Sequence, residues 1–139
     1  MLDSFVVLKE SDWPAAWDWL SPKLDQRSVL ALEGNLGAGK TSFAKAILAA
    51  HGFSGPVTSP TFSLVQQYPT AQGTVTHLDL YRLTSVDEVL DLGFEEYLDQ
   101  SYLTLVEWPQ LAADLLLPDD TYWLRIEHRP QDGRLLLAL

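Results

Sequence analysis

Hydrophobic positions along the chain change period several times, and each change marks an element. The apolar run Phe5-Val6-Val7-Leu8 reads as a short strand over 5–8. Trp13, Ala16, Trp17, Leu20 and Leu24 then recur at intervals of three and four, the spacing that aligns side chains on one face of an α-helix. Ser11 or Asp12 stands where a cap for that helix belongs, Pro14 suits its first turn, and Pro22 is expected to end or kink it. Residues 29–33 form a second strand, mostly apolar. Glycines at 34, 37 and 39 follow, and Phe43, Ala44, Ile47 and Leu48 then restore helical spacing over 40–50, with Gly52 suited to the end of that helix.

Further along, Gly and Pro mark 54–60 as loop. Strands are expected over 62–68 and 74–80, joined as a hairpin across 69–73. Ser85-Val-Asp-Glu88 has the form of a capping box that opens a short helix, which Gly93 can close. Residues 102–107 read as a buried strand, and 120–128 and 134–139 as a terminal hairpin around Gln131-Asp-Gly133. A strand–loop–helix start followed by mixed strands predicts an α/β fold: a three-layer domain with a central mixed sheet flanked by helices. The length of 139 residues leads us to expect one domain over 1–139.

Composition narrows the functional classes. Apolar residues make up 47% of the chain, enough for a packed core. With no cysteine, disulfides, thiolate zinc sites and cysteine nucleophiles are excluded. No apolar run reaches the length of a membrane span, and the opening MLDSFVVLKE lacks the basic start and long apolar stretch of a secretory leader. A cytoplasmic protein without membrane attachment is the expectation. The net charge of −10 is unevenly placed: residues 71–139 carry four Lys/Arg and thirteen Asp/Glu, against five and six in residues 1–70. That half should repel phosphate backbones, so direct tight binding to nucleic acid is not expected. It reads either as solvated helix faces or as a docking face for a basic protein.

One segment carries explicit chemistry. Gly34-Asn-Leu-Gly-Ala-Gly39-Lys40-Thr41 matches G-x-x-x-x-G-K-[ST] without a mismatch, after a strand and at the opening of a helix. In such a loop, backbone N–H groups around Leu36, Gly37, Ala38 and Gly39 approach phosphate oxygens, and the helix N-terminus adds partial positive charge. Lys40 supplies a point charge for the β- and γ-phosphates, Thr41 a hydroxyl for Mg²⁺, and Ser42 a donor for the α-phosphate. The expected ligands are therefore a nucleoside triphosphate and Mg²⁺. A metal-associated acid at a strand end is also needed, and Asp79 and Glu107 both qualify. Thr61 falls where a switch segment would sit. Trp108 follows Glu107 directly, either as packing or near the nucleotide or a partner, and His77 reads as a core group or a support for the site. No Lys follows Lys45, so the guanine-selecting N-K-x-D cannot occur downstream of the loop. A kinase lid is disfavoured because Arg82 is the single base between Asp79 and Asp120.

Taken together, Gly34–Ser42, Ser59-Pro-Thr-Phe62, His77-Leu-Asp-Leu-Tyr-Arg82, Gly93-Phe94 and Val106-Glu-Trp-Pro109 resemble, in order and spacing, the TsaE family of bacterial tRNA threonylcarbamoyladenosine biosynthesis. The resemblance covers about residues 5–128. It implies a small P-loop ATPase that binds ATP and Mg²⁺ and acts with TsaD and TsaB, meeting tRNA only through that complex, and is a monomer or weakly self-associating alone. By motif it implies phosphate and Mg²⁺ roles for Lys40 and Thr41, a Mg²⁺-associated role for Glu107, and importance for activity at Asp79, Thr61 and Trp108. It also brings the start of the first helix, near Glu10 and Ser11, close to the adenine. Ser42 departs from the Thr of many relatives and keeps the hydroxyl.

Overall fold

A computed structural model describes residues 3–35, 37–58 and 64–139. Strand β1 (Ser4–Val7) leads through a single 3-10 turn (Glu10–Asp12) into helix α1 (Trp13–Leu24). Strand β2 (Val29–Glu33), the glycine loop and helix α2 (Lys40–Ala50) follow. Then come β3 (Val65–Thr70), β4 (Gly73–Asp79), α3 (Val86–Asp91), α4 (Phe94–Gln100) and β5 (Leu103–Glu107). A 3-10 stretch (Pro109–Leu115) precedes β6 (Thr121–His128) and β7 (Arg134–Ala138).

All seven strands join one sheet in the order β1-β7-β6-β2-β5-β4-β3. The central four, β4, β5, β2 and β6, run parallel, while β3 and β7 pair antiparallel with their neighbours. Alternation along β2 shows why both faces are covered. Leu30 and Leu32 point to the layer of α1 and α2, where they meet Trp17, Leu20, Phe43 and Ile47. Val29 and Ala31 point to the opposite layer, with Val89, Phe94 and Ala112. The expected three-layer α/β architecture is thus the observed one. Because β2 lies between β5 and β6, the loop leaving its carboxyl end opens into the crevice where ligands of such sheets bind.

Several boundaries differ from the sequence reading, each for a physical reason. Helix α1 continues through Pro22 to Leu24. Pro22 is exposed in the last turn while Leu20 and Leu24 are buried, and that burial outweighs one lost backbone bond. Asp12 does not cap α1 with its side chain; its carboxylate accepts from the N–H groups of Leu8 and Lys9 instead. The β3–β4 connection is tighter than expected. Pro69 is paired with Thr74 inside the ladder, and the turn is only Ala71-Gln72. Proline is tolerated there because β3 is an edge strand. The start of the strand expected over 62–68 lies partly outside the described residues, and the ladder begins at Val65.

The capping box at α3 forms by half. Ser85 Oγ accepts from the N–H of Glu88, whereas the Glu88 carboxylate turns to the backbone and hydroxyl of Thr84. Those bonds hold the Glu88 carboxyl below its usual range. Helix α4 and the 3-10 stretch were not expected from the sequence. Each is too short for a clear period, and each exists by burying one or two residues, Phe94 in the first and Pro109 and Ala112 in the second. Ser85→Ala is expected to lower unfolding free energy by about 1 kcal/mol, the ordinary value of an N-cap, as measured by urea denaturation.

Candidate functional site

The site assembles at the carboxyl ends of β2, β4 and β5. Gly39, with φ +108, is the last residue before α2. This conformation disfavours any side chain, and an added Cβ would run into the indole of Trp13. Trp13 is 4% exposed and stacks on Phe43 of α2. The loop is thereby seated against α1 on one side.

Lys40, first residue of α2, is 5% exposed. Its ammonium donates to the carbonyl oxygen of Gly34 at 2.6 Å, lies 3.7 Å from Glu107 Oε1, and sits 4.2 Å from the centre of the Trp108 ring. Trp108 reaches that position through a left-handed backbone, φ 54, at the end of β5, and it packs on Tyr81. Burial holds the Lys40 ammonium below its ordinary pKa, and the nearby charges of Glu107 and Asp79 oppose that shift.

Asp79 and Glu107 are register partners at the ends of the parallel strands β4 and β5, so they project side by side. Both are buried, at 4% and 3% exposure. Asp79 Oδ1 accepts from the N–H of Tyr81. Glu107 Oε2 meets His77 Nε2 at 2.5 Å. His77 is wholly buried, and its Nδ1 has no partner among the described residues.

Lys40, Asp79 and Glu107 border a cavity of about 480 Å³. Gly37, Gly39, Lys40, Thr41 and Ser42 of the loop and the start of α2 line it together with Asp79 and Glu107. Val7 to Glu10 with Trp13, and Asp132 to Arg134 at the β6–β7 connection, complete the lining. Among the described residues no group of three or more His, Asp or Glu is placed to hold a metal ion by itself. Two carboxylates beside a Thr hydroxyl are the donor set that suits Mg²⁺ shared with phosphate oxygens, since that ion usually takes one or two carboxylates plus its substrate.

The structure therefore brings together Gly37, Gly39, Lys40, Thr41, Ser42, Asp79 and Glu107, with Trp108 against Lys40 and Ala38 the buried residue of the loop. Glu10 also borders the cavity. Leu36 and Thr61, together with the rest of Ser59-Pro-Thr-Phe, lie outside the described residues. Lys9, Trp13, Asp132 and Arg134 were not singled out for the site. They come from distant parts of the chain, and no local motif marks them; Trp13 in particular follows helical spacing like any core residue.

A strand–glycine loop–helix unit, a lysine at the helix start and two strand-end acids on one parallel sheet define a P-loop NTPase-like α/β fold. A family model described as "Threonylcarbamoyl adenosine biosynthesis protein TsaE" matches residues 8–136, and the chain belongs to the TsaE family. A TsaE protein of Rickettsia felis is 43% identical over 100 residues, covering 71% of this chain and 58% of the relative. That of Bacillus subtilis is 39% identical over 106 residues, 76% of this chain and 65% of the relative. The matched stretch is thus less than two thirds of these relatives' own length. The crystal structure of Bacillus subtilis YdiB superposes with a TM-score of 0.77 at 26% identity, covering 99% of this chain and 86% of that one.

Glu107→Gln removes the carboxylate with the stronger influence of the two that favour the ammonium form of Lys40. The Lys40 pKa should fall further below its ordinary value in that variant. An NMR titration of the isotopically labelled, dimethylated lysine would register the change.

Proposed function

We propose that the chain is a P-loop ATPase of tRNA threonylcarbamoyladenosine biosynthesis, acting in the cytoplasm on a TsaD–TsaB complex to permit its repeated turnover. Family membership supports the pathway. The single observation that supports the ATPase reading is the buried Lys40 ammonium held between the glycine loop and the paired acids Asp79 and Glu107.

In this reading the loop from Leu36 to Gly39, with Lys40 and Ser42, holds the phosphates. Thr41, Glu107 and Asp79 hold Mg²⁺, which neutralises charge on the phosphate oxygens. His77 fixes the orientation of Glu107. The base lies toward Leu8, Lys9, Glu10 and Trp13, which line the same cavity. Trp108 covers the Lys40 ammonium, and Thr61 senses the γ-phosphate.

Hydrolysis by the chain alone should be slow. Lys9, Lys40 and Arg134 are the only cationic residues bordering the cavity among the described residues. Lys40 is bonded to the Gly34 carbonyl and paired with Glu107, and Arg134 is bonded to loop carbonyls, so neither is free to swing onto the γ-phosphate as an arginine finger. The partner complex would order the Thr61 segment or supply the missing charge. Contact with tRNA would be indirect, because the acids of α3 and α4 (Asp87, Glu88, Asp91, Glu95, Glu96, Asp99) are all exposed and repel a phosphate backbone. No helix among the described residues is long and apolar enough to cross a membrane.

The expected results are ATP·Mg²⁺ binding by calorimetry, weak turnover alone, and stimulation by TsaD–TsaB. Lys40→Ala should reduce ATPase activity by at least a hundredfold and abolish multiple-turnover tRNA modification while sparing the first round. A Glu107→Ala protein that binds ATP without hydrolysing it yet still sustains modification would instead make the chain a nucleotide-gated binding module.

A further inference from the structure

Arg134 opens β7, 96 residues beyond Ala38 in sequence, yet it lies against the glycine loop. Its Nε donates to the carbonyl oxygen of Ala38 at 3.0 Å, and one terminal nitrogen donates to that of Gly37 at 3.1 Å. The other terminal nitrogen donates to the carbonyl of Gly133. Three donors in one plane are thus committed to backbone oxygens, and two of those oxygens belong to the loop. Among the described residues Arg134 makes no ion pair, although Asp132 borders the same cavity.

Two consequences follow from peptide geometry. In a planar trans peptide the C=O and the N–H of the next residue point in opposite directions. Drawing the Ala38 carbonyl to Arg134 therefore points the N–H of Gly39 away from the guanidinium, on the side of the loop assigned to phosphate. The Gly37 carbonyl belongs to the peptide whose N–H, on Ala38, already donates to Asn35 within the loop. The grip on Gly37 thus holds the turn closed. The guanidinium also leaves its positive charge beside a loop built to receive an anion.

The position of Arg134 is itself fixed. It is paired on one side with Val7 of β1 and on the other with His128 of β6. Gly133, φ +80, lets the preceding turn lie against the Val7 carbonyl, where a Cβ would collide.

We propose that Arg134 is a positioning residue of the phosphate-binding loop, holding the Gly37 carbonyl so that the turn stays closed and the Ala38 carbonyl so that the Gly39 N–H is set for the nucleotide before it arrives. This rests on the nucleotide-binding reading above. It assigns a role in that site to β7, outside the loop motif. The fork of Arg serves two carbonyls in one plane, which a lysine ammonium cannot reproduce.

The test compares the unsubstituted chain with Arg134→Ala, Arg134→Lys and Arg134→Gln. In the nucleotide-free proteins, hydrogen exchange at the Ala38 amide, which donates to the Asn35 carbonyl, should quicken about tenfold in all three, with exchange in β2 and α2 unchanged. By calorimetry, affinity for ATP·Mg²⁺ should fall about tenfold in Arg134→Ala, stay low in Arg134→Lys, and recover when millimolar guanidinium is added to Arg134→Ala. A side chain that merely stabilised the β6–β7 hairpin would not give that rescue. Unchanged loop exchange in all three variants, or ATP affinity equal to that of the unsubstituted chain, would overturn the proposal while leaving nucleotide binding intact. Quickened exchange with no ATP binding by any form, including the unsubstituted one, would overturn the nucleotide reading and leave Arg134 as the brace of a loop with another ligand.

Discussion

Everything at the site is arranged around a cation taken out of water. An ammonium group buried to the degree of Lys40 is unfavourable unless its surroundings replace hydration. Here a carbonyl of the loop, a carboxylate at the end of β5 and the face of an indole each supply part of the replacement. The first comes from the loop and the other two from adjacent residues at the end of β5, so satisfying one side chain fixes the relation of the loop to that strand end. The balance is incomplete, since burial still depresses the Lys40 pKa. An incoming polyanion would meet a charge that is positioned and under-solvated.

The acids that face Lys40 are placed by strand register. Asp79 and Glu107 stand opposite one another in the β4–β5 ladder. A slip of one residue would turn each to the other face, among Val89 and Phe94. Register is secured by the apolar alternation below them: Val75 and Leu105 face one layer, and Leu78 and Val106 the other. The two faces of the core therefore determine where the carboxylates project. His77, one step below Asp79 on the same face, is drawn into the arrangement through Glu107.

Much of this was legible in the residues, and the exceptions are instructive. Helix α2 and strand β2 were readable to their ends because strong periodicity adjoins a motif with a fixed role. Lys40, Asp79 and Glu107 were readable because strand-end acids and a loop lysine occupy defined places in such a sheet. What could not be read depends on contacts between parts distant in sequence. Arg134 is an ordinary charged residue beside a glycine until β7 is threaded between β1 and β6. Trp13 is an ordinary core residue until it meets Gly39. Helix α4 and the 3-10 stretch owe their existence to burial of Phe94 and Ala112, which no local propensity records.

Pro69 has an effect beyond the hairpin in which it lies. With only Ala71 and Gln72 in the turn, Thr70 and Gly73 form the closing hydrogen-bonded pair, and the next pair, Pro69 and Thr74, is of the other kind. The nitrogen of residue 69 consequently points away from β4, into the margin where a strand of another molecule would seek a donor. The pyrrolidine ring leaves none there and adds bulk in its place. At that border of the sheet, the chain carries its own obstacle to fibrillar stacking.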